Sequence, residues 1–264
     1  MSNFNHTFVI CAYKESPYLE ECILSLKQQV KKTNIIMVTS TPNDLISSMS
    51  EKYDIPLFVN EGQGGITQDW NFGLSKIETE YATIAHQDDI YDRKYVMEIA
   101  KLTKKSKKPL ILFADYGELR NGQKVNSNTN LKIKRILLFM LRFRIFWPSI
   151  FVRRRSLSLG CGIACPSVTF SLKNLKQPIF EHGYRSVEDW QAWERISKFK
   201  GEFVYCPKIL MYHRIHEESE TSKIIEDNQR SSEEYDMFIK FWPKPIAKLI
   251  NNFYKAGQKS NDIN

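Results

Sequence analysis

Long apolar runs are missing from this chain. Nowhere do about twenty uncharged apolar residues follow one another, so no membrane-spanning helix is expected. The N-terminus has no basic stretch leading into an apolar one, so no signal peptide is expected either. Cysteine is scarce and odd in number, the five being Cys11, Cys22, Cys161, Cys165 and Cys206. That usage argues against a disulfide framework and for reduced thiols in a cytoplasmic setting. Cys161 and Cys165 have no histidine or cysteine partners at zinc-like spacing, which speaks against a structural zinc. Internal repeats and low-complexity linkers are absent. No nucleic-acid motif accompanies the basic charge, so nucleic acid is not expected as a partner.

What is present suits a soluble α/β protein. The chain has 264 residues, 42% hydrophobic and 26% charged, with a formal charge of +8 and a pI near 9.1. That length can bury a large core. Apolar β-type runs at 7–13, 34–39, 56–60 and 81–87 alternate with helical patterns at 16–30, 42–53 and 66–77. Ser16 and Pro17 read as the opening of the first helix. Such alternation predicts βαβ units and a mostly parallel sheet flanked by helices. A helix from Asp92, a strand over 109–115 and an Asn121-Gly122 turn follow. Strands are expected at 165–170, 202–205 and 208–212, a helix over 188–199, and a mostly helical end over 225–254.

The stretch 131–155 stands apart. Leu, Ile, Phe and Trp147 are interleaved with Lys132, Lys134, Arg135, Arg142, Arg144 and Arg153 to Arg155, without a single acid. A basic amphipathic segment fits an anionic membrane surface, or a core-packing helix with a solvated basic face. The first reading would place a cytoplasmic protein peripherally on the inner face of the cell membrane.

The run Tyr81-Ala82-Thr83-Ile84-Ala85-His86-Gln87-Asp88-Asp89 ends an apolar strand in adjacent carboxylates. Carboxyl ends of strands in open α/β sheets are where ligands bind. Two hard oxygen donors there suit a divalent cation carrying a diphosphate. A solvated turn would use the same residues.

Taken together, several stretches resemble the family 2 glycosyltransferases of GT-A fold, over about 7–221. They are Phe8-Val9-Ile10-Cys11-Ala12-Tyr13-Lys14-Glu15 with the helix after it, Asn60 to Gly65 with Trp70-Asn71-Phe72-Gly73-Leu74, Ile84 to Asp89, Pro166-Ser167-Val168-Thr169-Phe170, Glu188-Asp189-Trp190, and Tyr212-His213-Arg214-Ile215-His216. The resemblance implies a GT-A domain over 1–220 and a C-terminal helical extension over 221–264. Within the domain, 1–116 would be the nucleotide-sugar-binding half and 117–220 the acceptor side. It implies an inverting transferase that uses a nucleotide-sugar donor, a UDP-sugar by the family's habit, and a glycan or lipid-linked saccharide acceptor. Asp88 would bind Mn2+ or Mg2+, helped by His216 with Ser219 or Thr221 nearby. Ala12, Tyr13, Glu15, Ser40, Asn71 and Asp89 would contact the donor. Asp189 would be the general base, with Glu188, Trp190 and Arg214 on the acceptor side. Acids opening a helix also serve as plain helix caps, and His216 also reads as a surface histidine.

Departures from the family pattern are visible. His86 stands where the first acid of the Asp-x-Asp-Asp run is usual, and Ser40 where an acid usually reads the base. No basic residue precedes Asn71 in Thr67-Gln68-Asp69-Trp70. A transferase-fold scaffold without activity is the alternative these departures leave open. Nucleotidyl transfer is disfavoured, because Tyr13-Lys14-Glu15-Ser16-Pro17 offers no glycine-rich phosphate loop.

Overall fold

The computed structural model describes residues 4–216 and 229–259. Its first half is β1 (His6–Cys11), α1 (Leu19–Lys27), β2 (Asn34–Thr39), α2 (Asp44–Tyr53), β3 (Leu57–Val59), α3 (Ile66–Ser75) and β4 (Tyr81–His86). β1 pairs in parallel with β2 and with β4, and β2 with β3. Covered on both faces, β1 and β4 are buried along nearly their whole length and carry no acid, lysine or arginine. Their alternate side chains feed two cores. Phe8 and Ile10 join Leu19, Ile23 and Tyr95 on one face, while Ala82 and Ile84 join Trp70, Leu74 and Phe170 on the other. Gly73 lets α3 approach the sheet, since a Cβ there would meet Val9 Cγ1 at 2.5 Å.

After β4 come β5 (Ile90–Tyr91), α4 (Tyr95–Thr103), β6 (Pro109–Arg120), β7 (Gln123–Val125), α5 (Thr129–Leu137), α6 (Ile150–Leu157), β8 (Val168–Ser171), α7 (Glu188–Ile196) and β9 (Glu202–Ile215). The strand order is β3-β2-β1-β4-β8-β6-β9-β5, with β7 paired to β6. β8 runs antiparallel between β4 and β6, so the sheet is parallel up to β4 and mixed beyond it. Asn121 and Gly122 both have positive φ, 49° and 75°, and close the β6–β7 hairpin as expected for this pair.

Several elements differ from the sequence expectation. α1 begins at Leu19 rather than at Ser16 and ends at Lys27; Ser16 instead accepts a hydrogen bond from Tyr18 N at 3.3 Å. Residues Cys165–Ser167 form a 3-10 turn built on Pro166, and only Val168–Ser171 is strand. The strands expected at 202–205 and 208–212 are one. Its register with β6 jumps from Ala114↔Cys206 to Asp115↔Ile209, leaving Pro207 and Lys208 outside the ladder. Proline has no N–H to donate, so the strand bulges there rather than ending. The stretch 131–155 is α5, two short 3-10 turns (Phe139–Arg142 and Arg144–Phe146) and α6.

The C-terminal helices α8 (Gln229–Phe238) and α9 (Lys244–Lys259) close one face. Phe238 packs on Trp190 and Tyr254, and Trp242 Nε1 donates to Ser158 O at 2.7 Å. No helix among the described residues is long and apolar enough to cross a membrane.

Candidate functional site

The chain leaves β4 at His86, turns through Gln87-Asp88-Asp89 and re-enters the sheet as β5 against β9. The pairing Ile90↔Tyr212 sets the end of β9 beside the two acids. Asp89 has no exposure, and its Oδ1 accepts from Arg214 N and from His213 Nδ1, each at 2.9 Å. Burial opposes a charge on His213, but Asp89 outweighs it and raises that imidazole to about 9. His216 Nε2 donates to Asp88 Oδ2 at 2.9 Å. Burial works to raise Asp88 as well. His213, His86 and the His216 bond offset it and hold that carboxyl below its ordinary value.

Arg214 is committed to the turn itself. Its Nε donates to Asp88 O at 2.8 Å, its guanidinium pairs with Glu21, and it lies 4.2 Å over the Tyr18 ring. β1 is tied to the same turn through Gln87, whose side chain accepts from Tyr13 N (3.0 Å) and donates to Tyr13 O (2.8 Å). Ala12 is buried and donates to Val38 O at 2.9 Å, while Tyr13 and Glu15 are exposed at the end of β1.

Ser40, at the end of β2, donates to Asp69 Oδ2 at 2.7 Å, and Asn60 Nδ2 donates to Asp69 Oδ1 at 2.8 Å. Buried Asp69 therefore locks the glycine loop between β3 and α3 onto β2. Asn71, expected at the donor, spends its amide on Phe180. Nδ2 donates to Phe180 O at 2.8 Å and Oδ1 accepts from Phe180 N at 3.1 Å.

Asp189 lies in the first turn of α7. Its Oδ1 accepts from Trp190 N at 2.6 Å, and the Cys161 thiol stands 3.9 Å from Oδ2. Burial pushes its neighbour Glu188 up to about 7, with Asp189 and Glu233 adding to the effect. Trp190 is a core residue, donating from Nε1 to Leu157 O at 3.0 Å. Asp189 meets Cys161, and the 165–167 turn that follows in the chain accepts from Tyr91 OH at Pro166 O (2.6 Å), beside the Asp88 turn. Lys134 is bonded to Tyr116 OH, and its carbonyl lies against Gly162, where a Cβ would meet it at 3.2 Å. On the other side, Cys11 pairs in register with His86.

Two donor sets suit a divalent cation. One is Asp88 with His216. The other is His86, Asp89 and His213, whose ligand atoms lie within 4.8 Å of one another. His86 Nε2 and Asp89 Oδ2 are buried with no hydrogen-bond partner among the described residues, an expensive state that a cation relieves. Carboxylate with imidazole is a donor set for Mn2+-type ions. Ser219 and Thr221 lie outside the described residues. Lys134, His213, Asp69 and Gln87 were not singled out from the sequence. Only the His-x-x-His spacing of His213 and His216 offered a signal.

Residues 7–172 match Glycosyl transferase family 2. This chain belongs to that family. An uncharacterised glycosyltransferase of Rickettsia conorii is 27% identical over 248 residues, covering 90% of this chain. The chain spans 39% of that relative's length. S. aureus TarS, in a crystal structure with UDP-GlcNAc, superposes with a TM-score of 0.62 at 17% identity, covering 94% of this chain and 70% of TarS. The mannosyltransferase PcManGT of Pyrobaculum calidifontis, in complex with GDP-Man and Mn2+, gives a TM-score of 0.61 at 12% identity, over 97% of this chain and 75% of that one. At these identities the likeness establishes the shared GT-A fold of family 2.

Proposed function

We propose that this family 2 protein transfers a sugar from a nucleotide-diphosphate donor to a hydroxyl of a glycan or lipid-linked acceptor. The observation that carries the reading is the Asp88–His216 pair at the carboxyl end of β4, with Asp189 at the same end of the sheet. A cation held by Asp88 and His216 would neutralise the charge that grows on the diphosphate as it leaves. Asp89 orients the turn from beneath through His213 and Arg214.

Asp189 takes the proton of the acceptor hydroxyl. The oxygen then attacks the anomeric carbon, the bond to the diphosphate breaks, and the nucleoside diphosphate departs. A helix N-terminus favours a negative side chain, the form a base needs. Attack opposite the leaving group inverts the anomeric centre. Tyr13, Glu15 and the Ser40–Asp69 ledge border the nucleoside end, with uridine as the base we favour. Glu188 adjoins the base on the acceptor side.

A thermal-shift screen of nucleotide diphosphates and nucleotide sugars, with and without Mn2+, tests the reading, because a ligand of the native state raises its melting temperature. A metal-dependent rise with one donor class, followed by transfer or donor hydrolysis, is expected. No shift with any donor would favour the inactive scaffold.

A further inference from the structure

The helical stretch 131–155 has an outward face that the described residues leave exposed. Ile136 is 72% exposed, Ile145 77%, Phe151 69% and Phe143 50%. The fold uses the inner basic residues. Lys134 bonds Tyr116, Arg135 pairs with Asp115, Arg153 donates to the carbonyls of Phe199 and Gly201, and Arg154 pairs with Glu194. The others, Lys132, Arg142, Arg144 and Arg155, are exposed among the apolar side chains, and the stretch contains no acid to neutralise them.

α9 repeats this chemistry. Ile246, Leu249 and Phe253 make an exposed apolar stripe at helical spacing, and no acid occurs between Lys244 and Lys259. The two elements adjoin, since the Arg155 guanidinium lies 4.4 Å over Trp242, just before α9.

We propose that these two elements form a peripheral docking surface for an anionic lipid bilayer. Exposed aromatic and aliphatic side chains would enter the headgroup boundary while the basic ones meet lipid phosphates. An acid-free patch mixing both kinds suits a bilayer better than nucleic acid, which offers nothing to the apolar groups. The inner side of α5 carries Lys134, whose carbonyl lies against Gly162, next to the Cys161 that meets Asp189. A saccharide on a lipid carrier would thus reach the cleft over a short distance. This last step rests on the proposed sugar transfer; the docking itself does not.

The test is vesicle co-sedimentation of the whole chain without donor or acceptor. The vesicles are phosphatidylcholine alone or phosphatidylcholine with phosphatidylglycerol. Binding to the anionic vesicles only, weakened by salt, is expected. The double variant Phe143→Ser, Ile145→Ser keeps every charge and should lower binding at least about tenfold, as should Arg142→Glu with Arg144→Glu. Lys104→Glu with Lys105→Glu makes the same charge change on exposed lysines elsewhere and should matter much less. Circular dichroism and nucleotide binding, unchanged in all three, separate loss of docking from loss of fold or of the donor site. Absence of binding by the wild type would overturn the proposal, and so would equal losses in the Arg and Lys variants. A dimer that the Phe143/Ile145 variant dissolves, without vesicle binding by the wild type, would assign the surface to a second copy of the chain.

Discussion

His216 Nε2 donates to Asp88 Oδ2 at 2.9 Å across a separation of 128 residues, joining the end of β9 to the turn after β4. Each side chain is just over four-fifths shielded, at 19% and 18% exposure. Asp88→Ala and His216→Ala should therefore abolish the metal-dependent part of donor binding and lower transfer by about a hundredfold or more. Calorimetric titration in Mn2+ and in chelator reads the first effect. Equal affinity in both conditions for wild type and variants would remove this pair from the site.

Asp189→Ala should fold, bind donor like the wild type, and lose roughly a hundredfold to ten-thousandfold in kcat. Donor affinity and turnover measured on one preparation make the distinction. Normal turnover by that variant would exclude Asp189 as the base.

Glu188 gives a pH signature in stability. Its folded value near 7 lies above the ordinary 4.5, because burial favours the protonated form. That contribution is complete below about pH 4.5 and is lost as pH rises through about 7. Glu188→Gln is always neutral, so it should match the wild type in acid and exceed it at pH 8, by roughly 3 kcal/mol at most. Urea unfolding across this range checks the sign. A constant difference between the two proteins at all pH values would refute it.

Asn71→Ala should behave as a structural lesion. It unpairs both backbone groups of Phe180 that Asn71 now satisfies, at a cost of roughly 1–3 kcal/mol. Donor affinity, measured at a temperature where the variant stays folded, should change little. A large loss of affinity with unchanged stability would return Asn71 to the donor site.

The sequence was most legible where one local rule governs. β2 falls on the expected 34–39, since an apolar run between polar turns specifies a buried strand. Asn121-Gly122 closes its hairpin because glycine and asparagine tolerate positive φ. It misled where a local signal had a nonlocal remedy. Two strands were expected at 202–205 and 208–212, but a bulge against β6 absorbs Pro207 and makes them one. Arg214 clasps Asp88 O, Glu21 and Tyr18, three partners far apart in the chain that no local pattern indicates.

By itself the chain's pattern determined the strand–helix alternation, the acids at the end of β4, the acid pair opening α7 and the acid-free basic stretch. These follow from side-chain period and from residue preferences that act within a few positions. Tertiary structure decided which polar groups hold the fold together. It set Asp89 against His213 across 124 residues, gave Asn71 to Phe180 and turned half the basic groups of 131–155 inward. Such pairings depend on sheet register and on the cost of leaving a buried polar atom unsatisfied, and neither is written in local periodicity.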